Sequence, residues 1–115
     1  MDTMLYFQKL GLTRYQSSVL SAILSRQNIT ALEITNTTGV PYTKVYSVLD
    51  SLKYMGFVTA DLDRPRRFRA ADIETIANSL IKKHSQSFLR IKRVGEEIKS
   101  AYRPGIDEFH LEKAF

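Results

Sequence analysis

Residues 30–56 read TALEITNTTGVPYTKVYSVLDSLKYMG, and the fold follows from how this stretch divides. Thr30 with Glu33 three residues on is a capping box: the hydroxyl accepts a free backbone N–H at a helix start, and the carboxylate reaches back to another. A short helix over Ala31–Thr38 follows and stops at Gly39, because glycine turns left-handed at a helix end without a Cβ clash. Pro41 sits in the first turn of a second helix, where its missing N–H costs nothing. Val45, Val48, Leu49 and Leu52 recur at helical spacing, giving residues 41–55 one buried face before Gly56. Two helices joined by a turn of about three residues containing a glycine have the layout of a helix-turn-helix.

Working outward, residues 57–62 alternate as a strand, Asp63-Arg64-Pro65-Arg66 is a turn with a proline breaker, and residues 67–70 read as the return strand. A β-hairpin directly after the second helix of such a pair is a wing, tipped by Arg64, Arg66 and Arg67, with Arg69 in the return strand. On the N-terminal side, Thr13 and Gln16 form another capping box, opening a helix whose stripe is Val19, Leu20, Ile23 and Leu24. A short helix carrying Met4, Leu5, Phe7 and Leu10 precedes it and ends near Gly11.

Asp72 is the N-cap of a last helix of about thirty residues, expected to end at Tyr102 or Arg103 before Pro104-Gly105. Ile73, Ala77, Leu80, His84, Ser87, Ile91, Val94 and Ile98 repeat at alternating steps of four and three, the period of a coiled-coil seam, with Ile76, Ile81 and Phe88 flanking the line; Leu80, His84, Phe88, Ile91, Val94 and Ile98 are the candidate dimerisation residues. A helix of this length cannot bury its whole stripe against a domain of about seventy residues. The remainder is expected to pack on a second copy. The expected fold is mainly α with a small β-hairpin (α+β): a winged helix-turn-helix with a long C-terminal dimerisation helix. Its parts are a winged domain over 1–71, the dimerisation helix over 72–103 and a tail over 104–115.

Charge narrows the partner. Seventeen Lys/Arg against twelve Asp/Glu give a formal +5, which suits a polyanion. With no cysteine there is no disulfide, thiolate nucleophile or Cys-ligated zinc. The two histidines, His84 and His110, lie in separate segments, so no metal site or cofactor is expected. Nucleophile-elbow, phosphate-loop and H-E-x-x-H motifs are absent, and an enzyme is not expected. The acidic start Met1-Asp2-Thr3-Met4 is no signal peptide, and no apolar run approaches the ~20 residues that span a bilayer. The expectation is a cytoplasmic protein with no membrane partner, and the residues name no small-molecule effector.

With Val45, Val48, Leu49 and Leu52 facing inward, Thr43, Ser47, Asp50 and Tyr54 fall on the opposite side of their helix. In a helix-turn-helix the first residues of the second helix reach base edges in the major groove. The candidate double-stranded DNA contacts are therefore Tyr42, Thr43, Lys44, Tyr46 and Ser47. The wing guanidinium groups of Arg64, Arg66, Arg67 and Arg69 would lie at a backbone or in an adjacent minor groove. Tyr54, farther along, is expected to pack, and Asp50 to pair with a nearby cation. Thr35, Asn36, Thr37 and Thr38 are expected to support backbone contacts.

Three segments in order, residues 10–15 (LGLTRY), 38–46 (TGVPYTKVY) and 49–58 (LDSLKYMGFV), resemble the TrmB-like winged-helix regulators, a mainly archaeal group, and residues 64–70 (RPRRFRA) resemble the wing that follows. The resemblance covers residues 4 to about 80. It implies a dimeric DNA-binding transcription regulator with the third helix of the motif, the one over residues 41–55, as reader. Larger members carry a C-terminal sugar-binding domain; none is expected after Arg103, and sugar sensing is not carried over. Arg14, Gln16 and Ser17 stand where the family usually has acidic residues. The competing reading is a winged-helix adaptor that docks proteins through the same helix, with the tyrosines as interface anchors; the arginine-rich wing argues against it.

Overall fold

The computed structural model describes residues 2–113, and their side chains as far as residue 102. The chain runs α1 (Thr3–Lys9), α2 (Arg14–Ser25), β1 (Ile29–Thr30), α3 (Ala31–Thr38), α4 (Tyr42–Tyr54), β2 (Val58–Ala60), β3 (Arg67–Ala70) and α5 (Ile73–Lys113). Both expected capping boxes form: Thr13 with Gln16 opens α2, and Thr30 with Glu33 opens α3. Gly39 ends α3 at φ +77°, the left-handed region that glycine enters without strain. Thr38 secures the turn. Its hydroxyl donates to the Ile34 carbonyl at 2.7 Å and accepts the Val40 N–H at 3.2 Å. That hydroxyl is committed internally, contrary to the backbone-contact role expected of it.

The sheet has three strands in the order β1-β3-β2, all antiparallel, with Val58 opposite Ala70, Ala60 opposite Phe68, and Ile29 opposite Phe68 on the other side. The hairpin is as expected, and β3 has the expected bounds. β1 is an addition: two residues are too short to carry an alternation. Phe57 and Val58 are buried, while Leu62, expected within the strand, is 91% exposed beyond its end.

One core joins these elements. Phe7, Val19, Leu20, Ile23, Ile34, Val45, Leu49, Leu52, Phe57 and Phe68 are all buried together. Ile76 and Leu80, from the first turns of α5, belong to the same core at 0% and 2% exposure. Leu80, expected in the intermolecular seam, is thus satisfied within its own chain. The compact winged unit accordingly reaches Ile81 rather than ending at residue 71.

A second unit begins at Lys82 and contains the rest of α5. The helix does not stop before Pro104-Gly105 but continues to Lys113. A proline removes one backbone donor and crowds the carbonyl four residues earlier, yet its fixed φ remains helical, so it weakens a helix without having to end it. The expected tail over 104–115 is therefore helical to Lys113, and its last two residues lie outside the described residues. His84, Phe88, Ile91, Val94 and Ile98 are exposed along α5.

Candidate nucleic-acid interface

The buried stripe of α4 fixes what the helix offers outward. Val45, Val48, Leu49 and Leu52 lie in the core, and Tyr42, Thr43, Lys44, Tyr46 and Ser47 are all exposed at its N-terminal half. These are the five expected readers, and the structure brings them together on two turns. Ser47 Oγ donates to the Lys44 carbonyl at 2.9 Å, leaving the hydroxyl oxygen as an acceptor at the surface.

A cleft lies on each flank of this face. On one side, about 570 Å³ is enclosed by Thr30, Ala31 and Leu32 at the start of α3, Tyr42 and Tyr46 of α4, and Arg64, Pro65 and Arg66 of the wing. Tyr42 and Tyr46 meet edge to face with ring centroids 5.9 Å apart, and Tyr46 meets Phe68 of β3 at 6.5 Å. Such pairs hold both rings in place. The wing tip and α4 therefore share one wall-lined channel open to solvent. On the other side, about 530 Å³ is lined by the N-cap Thr13 and by Arg14, Tyr15 and Gln16 of α2 against Ser47, Val48 and Ser51 of α4. Gln16 Nε2 donates to Ser51 Oγ at 3.1 Å, tying the start of α2 to the middle of α4.

The four wing arginines divide into two kinds. Among the described residues, Arg64 and Arg66 enter no ion pair and no side-chain hydrogen bond, and both are exposed. Arg67 donates to the Asn28 carbonyl at 2.9 Å and stands 3.8 Å from Glu33. Arg69 donates to Asp61 at 2.6 Å. Arg67 and Arg69 thus brace the hairpin against β1 and across its own mouth, while Arg64 and Arg66 carry uncompensated charge. Glu33 anchors this bracing. It accepts the Thr30 N–H at 3.1 Å and the Thr30 hydroxyl at 3.0 Å, and pairs with Arg26 at 2.7 Å. The Thr30 N–H and hydroxyl, then Arg26 and Arg67, hold its carboxyl below the ordinary carboxylate range.

Two further expectations fail. Tyr54 is 95% exposed and packs on nothing, because it lies on the same outward side as Thr43 and Ser47. Asp50 forms no ion pair with any described residue. Arg14, Leu32 and Ser51 line the clefts without having been singled out as contacts. Arg14 carried a signal, a cation where acidic residues are usual. Leu32 and Ser51 carried none, since only the packing of α2 and the wing against α4 brings them to its flanks.

A family model described as the sugar-specific transcriptional regulator TrmB matches residues 7–74, most of the winged unit. The chain belongs to the TrmB family. Over 91 residues, 79% of its length, this TrmB-family chain is 30% identical to the HTH-type sugar sensing transcriptional regulator TrmBL1 of Pyrococcus furiosus, of which it spans 27%. Among solved structures it is similar to TrmBL2, described as an archaeal chromatin protein with a novel mode of DNA binding. The TM-score is 0.61 at 20% identity, covering 98% of this chain and 43% of that one. A possible transcriptional regulator from Methanosarcina mazei also gives 0.61, at 17% identity, with 79% and 80% covered. At these identities the likeness to the solved structures is one of fold. The chain spans less than half the length of the first relatives it matches. The matching family model is one of transcriptional regulators.

Proposed function

We propose that the chain is a sequence-specific, double-stranded DNA-binding transcription regulator that acts as a homodimer. In this reading α4 enters the major groove. Thr43, Lys44 and Ser47 meet base edges, and Tyr42 and Tyr46 line the passage of one sugar-phosphate strand between α4 and the wing. Arg64 and Arg66 neutralise phosphates of that strand or enter the adjacent minor groove. The observation that carries the reading is the placement of two unpaired guanidinium groups across a cleft from the exposed start of α4. A polar, cationic channel beside a protruding helix suits the rim between a major and a minor groove. Arg14, in the opposite cleft, is positioned to take a phosphate on the far flank.

Dimerisation is supported by α5. Phe88, Ile91, Val94 and Ile98 hold a water-exposed apolar stripe, with Ile91 71% exposed. Burying such side chains gains about 1.5–3 kcal/mol each, and a second copy supplies a matching stripe. Two copies would present two α4 helices to half-sites about one helical turn, or a multiple, apart. His84 lies on the same stripe.

Selection from random duplexes tests the reading. A pseudo-palindromic site is expected, with affinity falling steeply with salt. Recovery of no preferred sequence, with weak binding to all duplexes at moderate salt, would favour the protein-docking adaptor instead.

A further inference from the structure

The second unit carries a feature that recognition by α4 and the wing does not use. From residue 82 to residue 93 the sequence holds five Lys or Arg, Lys82, Lys83, Arg90, Lys92 and Arg93, and no Asp or Glu. All five are exposed on α5. At about 100° per residue, His84, Phe88, Ile91, Val94 and Ile98 share one side of the helix, Lys82, Arg90, Lys92 and Arg93 fall on the opposite half, and Lys83 borders the apolar side next to Val94. The sole ion pair of this unit among the described residues, Lys99 with Glu96 at 3.6 Å, lies beyond the stripe. The four cations extend over about 16 Å of helix at 1.5 Å per residue. Duplex DNA carries about one charge per 1.7 Å of its axis, so the stripe meets several phosphates at once.

We infer that α5 bears a second, sequence-independent DNA-binding surface, formed by Lys82, Arg90, Lys92 and Arg93, that grips the phosphate backbone while the apolar side of the same helix is occupied by a second copy. The inference rests on the proposed function for its choice of polyanion, and on charge, spacing and exposure for the surface itself. A solvated helix kept soluble by charge would mix signs along its length, as residues 96–99 do with Glu96, Glu97 and Lys99. Residues 82–93 do not.

The test compares the full chain with a variant carrying Lys82→Gln, Arg90→Gln, Lys92→Gln and Arg93→Gln, and with a control carrying Lys82→Arg, Arg90→Lys, Lys92→Arg and Arg93→Lys. Glutamine keeps helix propensity, and light scattering checks that assembly is unchanged. Anisotropy is read on mixed-sequence duplexes of about 20 and about 60 base pairs over a salt series; the Gln variant is expected to lose at least tenfold in affinity at low salt, with the log–log slope shallower by about 0.9 per lost phosphate contact. Its sequence preference in duplex selection is expected to stay that of the parent, and the control is expected to bind like the parent. A loss confined to the longer duplex places the stripe on flanking DNA. Capture of a labelled duplex by an immobilised one, lost in the Gln variant, places it on a second duplex. Unchanged affinity and slope in the Gln variant would overturn the inference; if Arg64→Ala with Arg66→Ala still weakens binding, the proposed function survives that outcome. Failure of the parent to bind any duplex overturns both.

Discussion

Arg64 and Arg66 differ from Arg67 and Arg69 in what their guanidinium groups already touch, and that difference predicts opposite phenotypes. Arg64→Ala and Arg66→Ala remove free cations from the proposed strand channel. Each is expected to flatten the salt dependence of DNA affinity by up to about 0.9 in log–log slope, with no change in thermal stability. Arg69→Ala removes a partner of Asp61 instead. An exposed pair of this kind contributes at most about 1 kcal/mol, so a small stability loss with little change in slope is expected. Thr43→Ala or Ser47→Ala is expected to change which sequences are selected more than how tightly an average duplex is held. Glu33 gives a pH test. Its carboxyl is held below its unfolded value by Thr30, Arg26 and Arg67. A depressed carboxylate contributes stability above the unfolded value, and that contribution disappears as pH falls through the folded one. Acid titration of unfolding is therefore expected to show the parent losing stability below the ordinary Glu range, with Glu33→Gln less stable near neutrality and flatter in that window.

At the scale of elements, capping and periodicity explain most of the winged unit. The Thr13/Gln16 and Thr30/Glu33 boxes, the α4 stripe and the 67–70 strand were all legible because each rests on local chemistry within a few residues. β1 was not, since it exists only by pairing with β3 across almost forty residues of chain. Leu80 was misread for a related reason. A helical repeat marks a buried side but not what buries it, and the first turns of α5 are buried by their own domain. The outward face of α4 was legible from one helical wheel, whereas the bracing of Arg67 and Arg69 was not, because Asn28, Glu33 and Asp61 meet them only in the folded sheet. Two substitutions separate these roles. Leu80→Ala is expected to destabilise the winged unit by about 2–5 kcal/mol, read by thermal or denaturant unfolding. Gly39→Ala, at φ +77°, is expected to cost about 1–2 kcal/mol, because a Cβ is strained in the left-handed region although nothing lies within 4 Å of it.

For the whole molecule, the decisive variable is copy number. If the proposed homodimer forms through α5, Ile91→Glu or Ile98→Glu on its exposed stripe is expected to shift sedimentation to the monomer and to weaken binding to a two-half-site duplex far more than to a single half-site. The winged unit's melting is expected to be little changed, because neither residue belongs to its core. The net +5 charge acts at this scale as well, raising the association rate with any polyanion before a specific contact forms.

One joint constrains how such a chain can vary in length. β3 ends at Ala70 and α5 begins at Ile73, and the Ala71 N–H is fastened to the Phe57 carbonyl at 2.9 Å. An added residue there would rotate the first turns of α5 by about 100° and swing Ile76 and Leu80 away from the interior they complete. The hairpin tip between Ala60 and Arg67 has no such gearing. A change in tip length would leave the fold intact while moving Arg64 and Arg66 relative to α4, whereas the joint is a fixed dimension of the protein.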